Sequence, residues 1–471
     1  MKTLIANGTV ITHAGRMAAD VLIDGETDVG IAANGSHGWT ADRVIDAGGR
    51  YVLPGGVDVH THMELPFGGT FASDDFESGT RAAAWGGTTT IVDFAMQAIG
   101  EPMMDGYETW REKADGNCAI DYGFHMIVSD VNEQTLKEMD ILMGEGVTSF
   151  KLIMAYPGVL YSNDGQIFMA MQKAAENGIT IMIHAENCIE IDVLRDQAIK
   201  RGETDPIYHA VTRPPITESE ATHRAIAYAE LAGCPLYVVH MSAGEAVAEV
   251  ALARNRGLNV FGETCPQYLY LDWDNLREPG FDGAKYVCST PVRDREAGHQ
   301  EALWQALATN DLQVISTDHC PFCMNDHPTL GTQKRLGEGD FTKIPNGLPG
   351  VEERMRLIYD GAVTDGRMSL ERFVEVCSAT PAKMFGMYPK KGTIAVGSDA
   401  DIVIWNPEVE TVMSVDVNHM DVDYTAYEGK TVKGKIELVM SRGRVLIEND
   451  TYHGSPGDGD FIARDTNQYL I

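Results

Sequence analysis

The chain has 471 residues, 44% hydrophobic and 23% charged, which suits one large domain plus a smaller module and excludes wholesale disorder. Its 69 acidic residues outnumber 37 basic ones and leave a formal net charge of −32, which argues against nucleic acid or an anionic membrane as partner. No apolar stretch reaches membrane-spanning length and the start, Met1-Lys2-Thr3-Leu4-Ile5-Ala6, lacks the hydrophobic region of a signal peptide, so the expected compartment is the cytoplasm.

Residues 1–50 carry short strands broken by Gly, Asp and Asn turns, as in Thr3-Leu4-Ile5-Ala6-Asn7-Gly8-Thr9-Val10-Ile11. Residues 390–450 read the same way, with Ala400-Asp401-Ile402-Val403-Ile404-Trp405 and Gly434-Lys435-Ile436-Glu437-Leu438-Val439-Met440. The two ends are expected to form one β-sandwich, with residues 51–389 inserted between them as a second domain. Within that insert, β-branched runs alternate with helical patterns, the signature of βα units around a parallel sheet. The runs fall at 52–62, 88–96, 122–128, 148–154, 179–186, 236–242, 260–271 and 314–319. Eight of them predict an α/β fold of the (β/α)8, TIM-like type. Helices are predicted over 165–177 and over 218–232, the second with Thr217 as N-cap. The tail, 451–471, is polar and expected to be extended, with a possible role in subunit contact.

The first run ends in Asp58-Val59-His60-Thr61-His62. Side chains alternate faces along a strand, so His60 and His62 point the same way and can grip one metal ion from one side. In a barrel of this kind chemistry collects where strands meet their following loops. Metal-competent residues recur at those ends: Lys151 within Ser149-Phe150-Lys151-Leu152-Ile153-Met154, His184 in Met182-Ile183-His184, His240 in Val238-Val239-His240, and Asp318 in Ile315-Ser316-Thr317-Asp318-His319. Any one of them alone reads as a hydrogen-bonded core residue; six at matching ends point to a metal centre. Lys151 is the odd member, because Phe150, Leu152 and Ile153 flank an ammonium that is costly to bury unless it is paired or modified. A neutral amine beside metal ions can add carbon dioxide, and the resulting carbamate is an anionic oxygen ligand able to bridge two cations.

The eight cysteines, at 118, 188, 234, 265, 288, 320, 323 and 377, lie mostly in apolar runs and read as reduced thiols. Cys320-Pro321-Phe322-Cys323 has CxxC spacing, but no second pair completes a zinc set, so it reads as loop packing.

Over nearly its whole length the chain resembles the cyclic-amidase branch of the amidohydrolase superfamily, the dihydropyrimidinases and D-hydantoinases. The resemblance rests on Pro54-Gly55-Gly56-Val57-Asp58-Val59-His60-Thr61-His62, Phe150-Lys151-Leu152 with Tyr156, His184-Ala185-Glu186-Asn187, Val239-His240-Met241-Ser242, Ser316-Thr317-Asp318-His319-Cys320-Pro321-Phe322 and Ser378-Ala379-Thr380-Pro381-Ala382-Lys383. It implies that His60, His62, Lys151 and Asp318 hold one zinc ion and Lys151, His184 and His240 a second, bridged by a carboxylated Lys151 and a hydroxide; manganese or cobalt would suit similar ligands. It further implies that Asp318 shuttles the proton to the leaving nitrogen, that Tyr156 donates to the developing oxyanion, and that Ser289 and Asn346 read the ring amide through backbone groups. Met63, Leu65, Phe67, Ile153 and Leu160 are the apolar residues expected to receive the ring substituent. The implied reaction is hydrolytic opening of 5,6-dihydropyrimidines or 5-monosubstituted hydantoins to N-carbamoyl amino acids, in a homotetramer. An allantoinase is the nearest enzymatic alternative. Glu64 stands where a dihydroorotase carries a cation for its substrate carboxylate. Non-catalytic assembly proteins of the same fold have lost the metal ligands, and all six are present in this chain.

Overall fold

The computed structural model describes residues 1–470. Eight parallel strands form the central sheet: β1 (Gly56–Thr61), β2 (Thr88–Met96), β3 (Asp121–Ile127), β4 (Ser149–Ile153), β5 (Thr180–His184), β6 (Leu236–Val238), β7 (Val260–Thr264) and β8 (Val314–Ile315). Neighbours pair in sequence order and in parallel, so each connection crosses back outside the sheet. The loop after β8 closes the ring against β1: Thr61 bridges His319, the His62 amide donates to the His319 carbonyl at 2.9 Å, and the Thr317 hydroxyl donates to Asp58 at 2.7 Å. Every residue of β1, β3, β4, β5, β6 and β7 is buried, because helices cover the outer face while side chains fill the barrel.

All eight expected strands are present: 88–96 is unchanged, 122–128 shifts to Asp121–Ile127, and the others are shorter than expected. Residues 260–271 do not continue as one strand: β7 stops at Thr264, and Pro266, whose fixed φ suits a first helical turn, opens the short helix Pro266–Tyr270. The helix expected over 165–177 spans Asp164–Asn177, capped by a reciprocal Asn163–Gln166 pair and stopped by left-handed Gly178. The next expected helix begins earlier than Glu218. It spans Pro215–Ala232, with Pro214 at the cap position and Pro215 at N1. Thr217 therefore sits inside the first turn, its hydroxyl donating to the Pro214 carbonyl at 2.8 Å.

The chain ends supply a second sheet of nine strands, mixed in direction. Its order runs Thr451–Tyr452, Arg444–Glu448, Thr431–Ser441, Ile402–Val412, Tyr51–Pro54, Lys2–Thr12, Gly15–Asp24, Thr27–Ala33, with Arg43–Asp46 added parallel to Lys2–Thr12. The strands expected as a sandwich are thus hydrogen-bonded into one continuous sheet. Alternation splits its side chains between two cores. Val52, Ile402 and Ile404 join a small cluster with Ile5, Val21, Leu438 and Met440, whereas Leu53, Val403 and Trp405 join the main core of the barrel. Trp405 is fully buried there against Tyr359, ring centroids 4.9 Å apart.

The apolar run at 51–61 belongs to both sheets. Tyr51–Pro54 pairs antiparallel with 402–405, and Gly56–Thr61 is barrel strand β1. Gly55 lies between them with no space for a side chain: an added Cβ would stand 2.0 Å from the Thr89 hydroxyl oxygen. The tail folds back on its own barrel. Phe461 bridges Tyr122, Arg464 is buried with a bond to the Ser149 hydroxyl at 2.9 Å and another to the Phe124 carbonyl, and the Arg464 amide donates to Gly146. None of the helices among the described residues is long and apolar enough to cross a membrane.

Candidate metal centre and active site

His60 lies on β1, His62 follows it, Lys151 is central in β4, His184 ends β5, His240 follows β6 and Asp318 follows β8. All six converge on one mouth of the barrel and are buried. Potential ligand atoms of His60, His62 and Asp318 lie within 4.8 Å of one another. Asp318 Oδ1 stands 3.1 Å from His60 Nε2 and 3.2 Å from His62 Nε2. Lys151 Nζ is 3.0 Å from His60 Nε2, so it joins this group, and it sits over the Phe94 ring at 4.4 Å. A second pair faces it: His184 Nδ1 and His240 Nε2 are 2.9 Å apart. Burial holds the pKa of His240 well below the usual imidazole range, with His184 adding to the effect. The imidazoles of His184 and His240, turned nitrogen to nitrogen beside two more imidazoles and a carboxylate, make a donor set suited to divalent cations.

Electrostatics sort the ligands. Burial and then Lys151 oppose protonation of His60, but the facing carboxylates of Glu263 and Asp318 outweigh them and raise its pKa. His62, with less compensation, is pulled by burial down to about 3. Burial pushes the Asp318 carboxyl up, yet the charge of His60 and hydrogen bonds from His60 and His62 overcome this and hold it well below the ordinary carboxylate range. Burial lowers the Lys151 ammonium, which favours the free amine.

The ligands are braced from behind. Glu263 on β7 bonds His60 Nδ1 through one oxygen, accepts from the Tyr237 hydroxyl at 2.8 Å through the other, and receives the His240 amide at 3.2 Å. His184 Nε2 meets Glu186 at 2.9 Å. Such carboxylates fix the ring orientation and raise the basicity of the ligating nitrogen. Asp58 ties β1 to the closing loop through the Thr317 amide and hydroxyl. Sequence reasoning did not single out Glu263, Glu186 or Asp58; the available signal was a lone carboxylate in an otherwise apolar strand, as in Val260-Phe261-Gly262-Glu263.

The centre opens into a recess at the mouth of the barrel. Tyr156, Ser289 and Asn346 meet at its edge: Asn346 Nδ2 donates to the Ser289 hydroxyl at 2.9 Å and to the Tyr156 hydroxyl at 3.3 Å. Burial, with the Glu186 charge behind it, pushes the Tyr156 phenol up to about 12. Leu65, Phe67, Ile153 and Leu160 line the recess as expected, joined by Ile127 and Cys320. Met63 does not line it. Its side chain is fully buried and its sulfur fills the space over Gly79, where an added Cβ would stand 2.2 Å away, so Met63 is a core residue beneath the helix Phe76–Trp85. All eight cysteines are free and buried, including the Cys320–Cys323 pair. The backbone has positive φ at Glu64 (53°), Tyr156 (61°), His240 (39°) and Asp318 (52°), all at this mouth. Left-handed conformations of branched or bulky residues cost about 1–3 kcal/mol each and persist where surrounding structure over-determines them.

Comparison with known proteins agrees with this geometry. Over 472 aligned residues the chain is 60% identical to a D-hydantoinase of Streptomyces coelicolor, covering 100% of this chain and 99% of that protein. It is 49% identical to a D-hydantoinase of Geobacillus stearothermophilus, over 98% of this chain and 97% of the relative. The crystal structure of a dihydropyrimidinase from Brevibacillus agri superposes with a TM-score of 0.95 at 49% identity, covering 99% of both chains. The family model described as "Amidohydrolase family" matches residues 51–446, from the last strand before the histidine pair through the return into the end sheet. With the metal-competent residues gathered at the mouth of such a barrel and relatives this similar along the whole chain, the protein belongs to the amidohydrolase family.

Proposed function

We propose that this chain hydrolyses cyclic amides, opening 5,6-dihydropyrimidines and 5-monosubstituted hydantoins to N-carbamoyl amino acids. The observation that carries the reading is the meeting of His62, Lys151, His184, His240 and Asp318, with His60 packed against them, and of Tyr156, Ser289 and Asn346 around one recess. The names of its relatives, D-hydantoinase and dihydropyrimidinase, support the substrate class.

His60, His62, Lys151 and Asp318 would hold one divalent cation, and Lys151, His184 and His240 a second, zinc in the first instance, with manganese or cobalt as alternatives. Bound there, such cations supply Lewis acidity that lowers the pKa of water and polarises an amide carbonyl. Lys151 contributes by carboxylation: its amine forms a nitrogen–carbon bond to CO2 and releases a proton, which converts a costly buried cation into an anion between the two groups of imidazoles. The lowered pKa of Lys151 supports this, since only the free amine reacts.

Asp318 acts as base and then acid. Its carboxylate takes the proton of the attacking water and passes it to the ring nitrogen as the carbon–nitrogen bond breaks. Tyr156 keeps its proton at working pH, with a pKa pushed up to about 12, and donates a hydrogen bond to the carbonyl oxygen as charge develops there. Backbone groups of Ser289 and Asn346 read the rest of the ring amide. Leu65, Phe67, Ile153 and Leu160 receive the substituent, a role supported by their place in the recess lining. We place the enzyme in the cytoplasm as a homotetramer, supported by eight unpaired cysteines and by exposed Ile189, Val193 and Ile216.

The test is metal analysis of the purified protein beside ring-opening rates on dihydrouracil, a 5-aryl hydantoin and allantoin. Two equivalents of metal with turnover of the first two substrates is expected. Turnover of allantoin alone would move the reading to allantoinase, and metal-free protein with no turnover of any of the three would end it.

A further inference from the structure

Lys334 is fully buried, and no carboxylate faces it. Its ammonium instead donates to three backbone carbonyls, Gly347 at 2.8 Å, Pro345 at 2.9 Å and Val287 at 3.0 Å. The titratable groups around it are the thiols of Cys288 and Cys320, both pushed up by burial, and the His209 imidazole, pushed down by burial and nearby cations, so none of them offers a negative charge; the Phe322 ring lies 5.9 Å away. The three acceptors are not scattered. Val287 precedes the Cys288-Ser289 turn, while Pro345 and Gly347 flank Asn346, and the Gly347 amide also donates to the Val287 carbonyl at 3.0 Å. One cation thus joins two loops that are far apart in sequence, and those loops carry Ser289 and Asn346, whose side chains meet at 2.9 Å.

We propose that Lys334 is a positioning residue for substrate, clamping the carbonyls of Val287, Pro345 and Gly347 so that Ser289 and Asn346 stand at the separation needed to read the ring amide. The inference rests on the assignment of those two loops to substrate recognition. Its physical basis is the cost of an unpaired buried ammonium, which three well-placed carbonyls offset and no other group in the surroundings does. Burial still pulls the ammonium down to about 7, so the three oxygens offset its desolvation only in part. The residue before it extends the same scaffold: the Gln333 side chain donates to the Phe71 carbonyl at 2.6 Å and accepts the Cys323 amide at 2.7 Å.

Lys334→Met keeps the length of the side chain and removes the donors. In the metal-loaded enzyme it should raise KM for dihydrouracil by about 10- to 100-fold, the range for losing hydrogen bonds from a charged group, with kcat and metal content much less affected. The effect should shrink in an Asn346→Ala background, because loss of the side-chain amide that ties Ser289 to Tyr156 already loosens the loops whose backbone groups the clamp positions. Lys334→Gln, which retains two N–H donors, should restore part of the affinity, and it serves in place of the methionine variant should that one not fold. If Asn346→Ala loses affinity while Lys334→Met keeps it, or if the two losses multiply independently, the positioning role is overturned. If both variants retain wild-type KM, the positioning role is overturned; absence of ring opening by the unmodified enzyme would instead end the reading on which it rests.

Discussion

Glu263 holds His60 from behind the metal centre, bonding its Nδ1 with one carboxylate oxygen while the other takes the Tyr237 hydroxyl at 2.8 Å. The bond leaves Nε2 of His60 turned toward Asp318 and Lys151, the only orientation in which this ring can serve as a ligand. Changing Glu263 to Gln keeps the shape and removes the charge. Metal affinity should fall by about 10- to 100-fold, measured by competition with a coloured chelator, and an unchanged affinity would show that His60 needs no such partner.

Lys151 offers a chemical complementation test. Lys151→Ala should lose metal and turnover together, and millimolar acetate or propionate should restore part of the activity by lending a free carboxylate to the space of the missing one. A variant that keeps its metal content and its rate would remove the bridging role.

For Tyr156 the expectation concerns where the loss falls. Tyr156→Phe should lower kcat by about 10²- to 10³-fold and move KM by far less, because a donor aimed at the oxyanion acts mainly as charge develops. A wild-type turnover number would sink the assignment.

The end sheet carries a pH-dependent liability at Asp28, which is wholly buried. Burial first, then the carboxylates of Asp401 and Asp399, push its pKa up to about 8. The folded state therefore holds a proton that the unfolded chain gives up near its ordinary value of 3.8. Stability from this group is fully present below that value and is lost as pH rises toward 8. Asp28→Asn stays neutral throughout, so it should match the wild type in acid and exceed it by about 1–3 kcal/mol near pH 8, as read from urea unfolding at both ends of the window. Equal pH slopes for the two proteins would contradict this.

What could be read from the residues alone follows from which interactions are local. Parallel strands buried on both faces are continuous apolar runs, so β1 to β8 were legible, as were the six metal-competent residues at their ends. Three features depended on contacts distant in sequence and were not. Met63 has the character of a recess residue, yet a glycine opposite, Gly79, leaves room for its sulfur in the core. Glu263 gains its role from His60, 203 residues away. The tail is polar in composition, but Phe461, Ile462 and Arg464 anchor it among aromatic and backbone groups of the barrel. The start of the helix Pro215–Ala232 is set locally, because Pro214-Pro215 outweighs Thr217 as a start signal.

Because one extended run serves first as a member of the end sheet and then as the strand bearing the histidines, with Gly55 packed against Thr89 between the two, the sheets are moored to each other by a single rod of chain. Loosening at 402–405, remote from the recess, would travel along that rod and spread the imidazole pair. Leakage of metal, well before any global melting, is thus the first symptom to look for when the periphery of this enzyme is damaged, and reinforcing that periphery is a route to a catalyst that keeps its ions.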